Sequence, residues 1–189
     1  MIASAKQVFE RDGFLNARIT DIASGAEVSH GSFYHYFDSK EEIFRVVAEE
    51  QEVSLLTLDA VTGTDHTPVQ RIEAANRRYL SAYRAEAAIM RVIEEVSRYD
   101  SAVREVRKRR DDEFARRLQA AIERLQSSGA ADKLIDPWYA ANALGGMVAK
   151  FAEMWLLQGG DYEMEHAVAQ LTRLWANALG IRPDSGPTP

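Results

Sequence analysis

The sequence predicts an all-α protein of about nine helices, on three observations. No convincing run of period-two alternation is present, and apolar residues recur at three- and four-residue spacing nearly end to end. Helix punctuation, meaning small polar caps and isolated glycines, falls at the joints between those periodic stretches.

Taken in order, Ile2 to Asp12 forms a first helix with Ile2, Ala5, Val8 and Phe9 on one face and Gly13 as its stop. A short second helix runs from about Thr20 to Ala26 and buries Ile22, Ala23 and Ala26. Ser29 offers the N-cap of a third, of under three turns, that ends near Phe37. Ser39 and Glu42 form an S-x-x-E capping box that opens a longer helix carrying Ile43, Phe44, Val47, Val53 and Leu56. A break follows at "TGTDHTP", Thr62 to Pro68, where Thr67 or Asp65 can cap the next element. Beyond it, Val69, Ile72, Tyr79, Leu80 and Tyr83 mark one helix and Ile89, Ile93 and Val96 another. Val103, Val106, Phe114, Leu118, Ile122 and Leu125 trace a stripe along a long charged helix that stops at "SSGA". Trp138 to Gly159 is apolar nearly all round, so it needs partners on several sides. Val168, Leu171, Leu174, Trp175 and Leu179 form the last amphipathic helix, and "RPDSGPTP" is a frayed tail.

Composition narrows the function. With 189 residues and 46% hydrophobic content the chain can bury a sizeable core, and it has no cysteine for a disulfide, a thiolate metal site or a thiol nucleophile. The window from Ala140 to Gly160 approaches membrane-span length, yet Lys150 and Glu153 near its middle would be costly in lipid, so no membrane role is expected. "MIASAKQVFERDGF" lacks the continuous apolar run of a signal peptide, which points to the cytoplasm. Net charge is −6, and residues 1–50 carry five basic against nine acidic side chains. Bulk charge therefore attracts no nucleic acid, and any such role rests on local geometry.

That geometry is suggested by "VSHGSFYHYFDSKEEIF", Val28 to Phe44. Two short helices joined by a tight turn, the second with a small polar cap, follow the helix-turn-helix plan, whose second helix enters the DNA major groove. Hydroxyls at Ser29, Ser32 and Tyr34, with the backbone N–H groups of the third helix start, can bind phosphate without formal charge. Gly31 lets the backbone approach a strand closely. Phe33 and Phe37, four apart, face inward and leave Tyr34 and His35 outward.

The run "TDIASGAEVSHGSFYHYFDSKEEIF" resembles the N-terminal signature of the tetracycline-repressor (TetR) family of bacterial transcription regulators. The resemblance covers roughly the first fifty residues. It implies that Thr20, Ser29, His30, Ser32, Tyr34, His35 and Lys40 meet an operator, mainly at its phosphates, with base readout from the third helix. It also implies a helical domain behind the reader that dimerises and binds a small effector. Two departures stand out: Glu27 occupies a turn position where the family often has glycine, and Met1 begins almost inside the first helix, where the family commonly carries a basic arm. A left-handed backbone at Glu27 would cost about 1 kcal/mol and add an anion near DNA.

The expected division is 1–46 for the reader, 47–182 for the ligand-binding and dimerisation domain, and 183–189 for a flexible tail. Gly145, Val148 and Trp155 with Val168, Leu171 and Trp175 are the expected homodimer interface, where glycine permits close helix approach. Tyr83, Met90, Phe114, Met147, Phe151 and Met154 are candidate walls of an apolar effector pocket. Arg110, set within an apolar stripe, pairs with Glu94 or Glu95, snorkels to solvent, or meets an anionic ligand.

No cofactor and no catalysis are expected. The closest pair of histidines, His30 and His35, is five apart, or about 140° around a helix, and presents no two metal ligands on one face. The chain has no G-x-S-x-G elbow, phosphate loop or dinucleotide fingerprint. The expectation is a DNA-binding repressor that holds a pseudo-palindromic operator as a homodimer and is released by a small molecule. The alternative is a helical small-molecule-binding protein whose N-terminal segment docks another protein, which the acidic balance of residues 1–50 favours.

Overall fold

A computed structural model describes residues 1–56 and 66–181. Among these residues there are nine helices and no strand: α1 (Ile2–Asn16), α2 (Ile19–Gly25), α3 (His30–Phe33), α4 (Lys40–Leu56), α5 (Pro68–Ala85), α6 (Ala87–Ser97), α7 (Ser101–Ser127), α8 (Pro137–Leu156) and α9 (Met164–Ala178). The fold is all-α. The side chains of the expected core positions Val53 and Leu56, the break from Thr62 to Asp65 and the 183–189 tail lie outside what the structure describes.

The chain divides into two compact units, Met1–Leu55 with Glu86–Arg110, and Leu56–Ala85 with Asp111–Pro189. A reader of residues 1–46 lies wholly inside the first. In that unit α1 packs on α2 and α6, and α2 packs on α3. Its centre is aromatic: the rings of Phe9 and Phe14 each stand 4.9 Å from that of Phe44, edge to face. Around them Ala5, Ile22, Phe33, Ile43, Ile89, Ile93 and Val96 are fully buried. Ion pairs hold the N-terminal helices to the later segment of the same unit, among them Lys6 to Glu86, Arg45 to Asp100 and Glu49 to Arg109.

In the second unit α5 packs on α9 and α8. Leu80, Ile122, Val168, Leu171 and Leu179 fill the interior, and Tyr79 faces the ring of Phe114 at 5.6 Å. A buried polar contact crosses that core, where the Asn76 amide donates to the Thr172 hydroxyl at 3.2 Å.

Several boundaries differ from the sequence expectation for local reasons. Gly13 interrupts α1 with φ of 72° and ψ of 170°, as a stop would, but a further turn forms beyond it to Asn16. α3 ends as an α-helix at Phe33 instead of near Phe37, because the bonds from His35 and Tyr36 reach back three residues, to Ser32 and Phe33, and tighten the turn. The Ser39 hydroxyl accepts from the Glu42 N–H at 3.1 Å, while the Glu42 carboxylate takes the N–H of Asp38 instead of that of Ser39. At α5 the reciprocal arrangement is complete: Thr67 and Gln70 each accept the other's backbone N–H. α9 starts four residues ahead of its apolar stripe because the Glu163 carboxylate caps it at Glu165 and His166.

Three helices share one ending. In α7 the N–H groups of Gly129 and Ala130 return to the carbonyls of Gln126 and Leu125, and in α9 those of Gly180 and Ile181 return to Asn177 and Ala176. In α2 those of Glu27 and Val28 return to Ser24 and Ala23. This is the Schellman pattern, which places the first residue of each pair in the left-handed region. Gly129 has φ of 75° and Gly180 of 66°, and Glu27 adopts 56°.

Candidate nucleic-acid interface

The reader is assembled from α2, the turn at Glu27 and α3. Its inner side is closed by Ile22, Ala23 and Phe33, and the buried Ser4 hydroxyl of α1 donates to the Ile22 carbonyl at 2.7 Å, fixing α2 on α1. The Ser29 hydroxyl accepts from the Ser32 N–H at 3.1 Å and lies 2.8 Å from the Ser32 hydroxyl, so the expected cap of α3 is present. These contacts set which side chains point outward.

Thr20, Ser29, His30, Gly31, Tyr34 and His35 are all exposed, and Ser32 is half-buried. The ring of Tyr34 rests against His30 and Phe33, at 5.3 Å from each, and 49% of the residue stays accessible. Phe33 is fully buried as expected, whereas Phe37 is half-buried against its ring at 5.8 Å. Tyr36 is 70% exposed and was not anticipated. The signal lay in the pattern itself: with Phe33 and Phe37 turned inward, all three residues between them are left outside.

Lys40 stands apart from the expected set. Its ammonium donates to the carbonyls of Phe14 at 2.8 Å, Leu15 at 3.1 Å and Ala17 at 3.1 Å, and sits 4.8 Å from the Phe14 ring centre. An ammonium has three donors, so all are directed into the protein. Other cations of the first fifty residues are also engaged. Arg11 forms a double hydrogen bond with Asp12, at 2.8 and 2.6 Å, and lies 3.6 Å from Asp21. That hydrogen bond from Arg11 holds the Asp12 carboxyl below the usual carboxylate range. Arg18, the backbone cap of α2, is exposed and, among the described residues, has no ion pair within 4 Å. With Arg11, Asp12, Asn16 and Asp21 it lines an open polar hollow beside the start of α2.

The expected dimer-interface residues need correction. Val148, Val168, Leu171 and Trp175 are closed inside the second unit, and Gly145 lies under α7, where an added Cβ would come within 2.8 Å of the Leu118 methyl. They are protomer core. Trp155 is half-buried and packs with Phe151 and Tyr162. α8 is apolar nearly all round, so its sequence did not separate the inner face from the outer. The outer face carries Tyr139, Ala143, Gly146, Lys150 and Met154, and α9 exposes Arg173 and Leu174.

The candidate effector residues divide between the units. Met90 is buried in the first, where Glu94 pairs with Arg107, and with Arg98 at 4.0 Å, and Arg110 is buried. In the second, Tyr83 is buried while Phe114, Met147 and Phe151 are half-buried. Tyr83 and Phe114 both neighbour the ring of Tyr79, whereas Phe151 joins the Trp155 and Tyr162 cluster and Met154 is exposed.

Residues 1–47 match the model of bacterial regulatory proteins of the tetR family, and residues 65–179, more than half the chain, match the tetracyclin repressor-like C-terminal domain. The chain belongs to the TetR family. It is a DNA-binding transcriptional regulator and not an enzyme. Solved structures of other regulators share its fold. A transcriptional regulator from Rhodococcus sp. superposes with a TM-score of 0.77 at 20% identity over 96% of this chain and 97% of its own. A TetR-family regulator from Mesorhizobium loti gives 0.79 at 15% identity over 94% and 93%. The fatty acid degradation regulator FadR from Bacillus halodurans gives 0.74 at 19% identity over 96% and 95%. At such identities the likeness shows the TetR fold alone. No curated protein matches the chain. Among the described residues no helix is long and apolar enough to cross a membrane.

Proposed function

We propose that this regulator is a cytoplasmic repressor that binds a pseudo-palindromic operator as a homodimer and is released by a small-molecule effector. One observation carries the reading: the polar and aromatic side chains Thr20, Ser29, His30, Tyr34 and His35 are exposed on a unit whose apolar residues Ile22, Ala23 and Phe33 are buried. With Ser32 and Gly31 they form a contact surface for phosphates and base edges. Arg18 joins them as a phosphate contact, and Lys40 takes a positioning role. The reader is residues 1–46, and residues 47–182 serve dimerisation and effector binding.

A dimer is supported by the outward faces of α8 and α9. Tyr139, Ala143, Gly146, Lys150 and Met154 follow one another at three- or four-residue spacing, and Leu174 on α9 is 51% exposed. Small residues in such a stripe permit close helix approach, and two linked readers multiply a weak single contact. An effector releases DNA by binding the two conformations with different affinity, since equal affinity shifts nothing.

The test is a mobility shift with the DNA upstream of the protein's own gene at several salt concentrations, with sedimentation to give the mass of the complex. Several phosphate contacts predict a steep fall in affinity with salt and a complex of two chains per site. A complex indifferent to salt, or of one chain, would refute the reading.

A further inference from the structure

We infer that Glu27 is a charge filter in the reading head: its carboxylate lowers affinity for the duplex backbone as such, so that binding depends on the side chains of α3. The inference rests on the DNA-reading proposal above. Its basis is a contrast within the molecule. The same helix ending closes α2, α7 and α9, with glycine in the left-handed slot of two and glutamate in that of the reader. Glu27 is the one non-glycine residue with positive φ among the described residues. Left-handed backbone is unfavourable for a residue with a Cβ and free for glycine, so the side chain is retained against the local preference. Such outliers point to a use for the group that bears the strain.

The use is not internal to the protein. Glu27 is exposed, and among the described residues its carboxylate has no hydrogen-bond or ion-pair partner. It stands between the end of α2 and Ser29, the cap of α3, in the turn that joins the two helices of the reader. An unpaired anion there meets the like charge of the phosphates whenever the reader lies on a duplex, whatever its sequence. The repulsion subtracts from contacts that carry no sequence information and leaves base contacts in place.

Binding of the full-length protein to a random-sequence duplex at low and high salt tests this. Glu27→Gln keeps the backbone conformation and the length of the side chain but removes the charge, and Glu27→Gly removes both charge and strain. Glu27→Gln should bind about threefold more tightly than the parent at low salt, as one unit charge a few ångströms from another predicts in water. The gain should vanish at high salt, where exposed charges are screened. Glu27→Gly should show the same gain and also melt at a higher temperature. Equal affinity of Glu27→Gln and the parent at low salt would overturn the inference, as would a gain that persists at high salt. Duplex binding by the parent that ignores salt would overturn the DNA reading itself, a separate failure.

Discussion

The Lys40 ammonium lies 2.8 Å from the carbonyl oxygen of Phe14, a residue 26 positions earlier in the chain. Two further carbonyls, of Leu15 and Ala17, complete its set of acceptors. Helix ends leave carbonyl groups without intrahelical partners, and a cation there satisfies them and complements the helix dipole. Lys40 thus fastens the start of α4 to the last turn of α1. Lys40→Met should lower stability by about 1–3 kcal/mol, since hydrogen bonds to a charged group are lost. A chain of this size then melts several degrees lower, on the order of 2–4 °C per kcal/mol. The salt dependence of duplex binding should stay that of the parent. Unchanged melting with a salt slope reduced by about one would make Lys40 a phosphate contact instead.

Tyr34 offers a cleaner probe of the surface. Its ring packs against His30 and Phe33, and Phe at this position keeps both contacts. Tyr34→Phe removes the exposed hydroxyl alone, so the melting temperature should hold. Operator affinity should fall by about 0.5–1.5 kcal/mol, or roughly two- to tenfold, the worth of one hydrogen bond. Equal affinity of the two proteins at fixed salt would take the hydroxyl out of the interface.

The N-terminal fifty residues were legible because their signals are local. Ser29 and Ser39 cap the helices they announce, and Phe33 is inside with Tyr34 outside, as spacing alone requires. The three carbonyls that hold Lys40 were not legible, because they lie far back in the sequence, where no local pattern encodes them. α8 failed for another reason. A helix apolar all round reports burial but not direction, so Val148 and Gly145 read the same as Tyr139 until the position of α7 is known. Glu27 was visible as a departure from glycine, and the left-handed φ gives that departure its physical content.

Asp100 couples acidity to the packing of the first unit. Burial pushes its carboxyl upward, yet hydrogen bonds from the N–H groups of Val103 and Ala102 and the charge of Arg45, 3.6 Å away, outweigh it and leave the group below the usual carboxylate range. A carboxyl depressed in the folded state adds stability that is fully present above the unfolded value, about 3.9, and is lost as pH falls through the lower folded value. Asp100→Ala should cost about 0.5–2 kcal/mol at neutral pH, the worth of a helix cap. Urea unfolding of both proteins should show that gap closing below pH of about 4. A gap that stays constant down to that acidity would assign the effect to packing alone.

Gly25 is where two general rules oppose each other. Alanine is the better helix residue by up to about 1 kcal/mol, so Gly25→Ala at the end of α2 would ordinarily stabilise. Here an added Cβ falls 2.5 Å from the Ser4 hydroxyl, and that hydroxyl is the buried group that donates to the Ile22 carbonyl. It must turn away, which leaves the buried hydroxyl unsatisfied at a cost of about 1–3 kcal/mol, while the Ile22 carbonyl keeps the N–H of Ala26. That loss exceeds the gain in helix propensity, and Gly25→Ala should melt below the parent. In a Ser4→Ala background the obstructing oxygen is gone, and the remaining Cβ of residue 4 stands at 3.6 Å, an ordinary contact. There the same Gly25→Ala change should be neutral or stabilising. Thermal melts of the two single variants and the double variant give the coupling directly, because neighbouring residues that share a contact are non-additive. Additive effects would mean that the Ser4 hydroxyl does not oppose the methyl group.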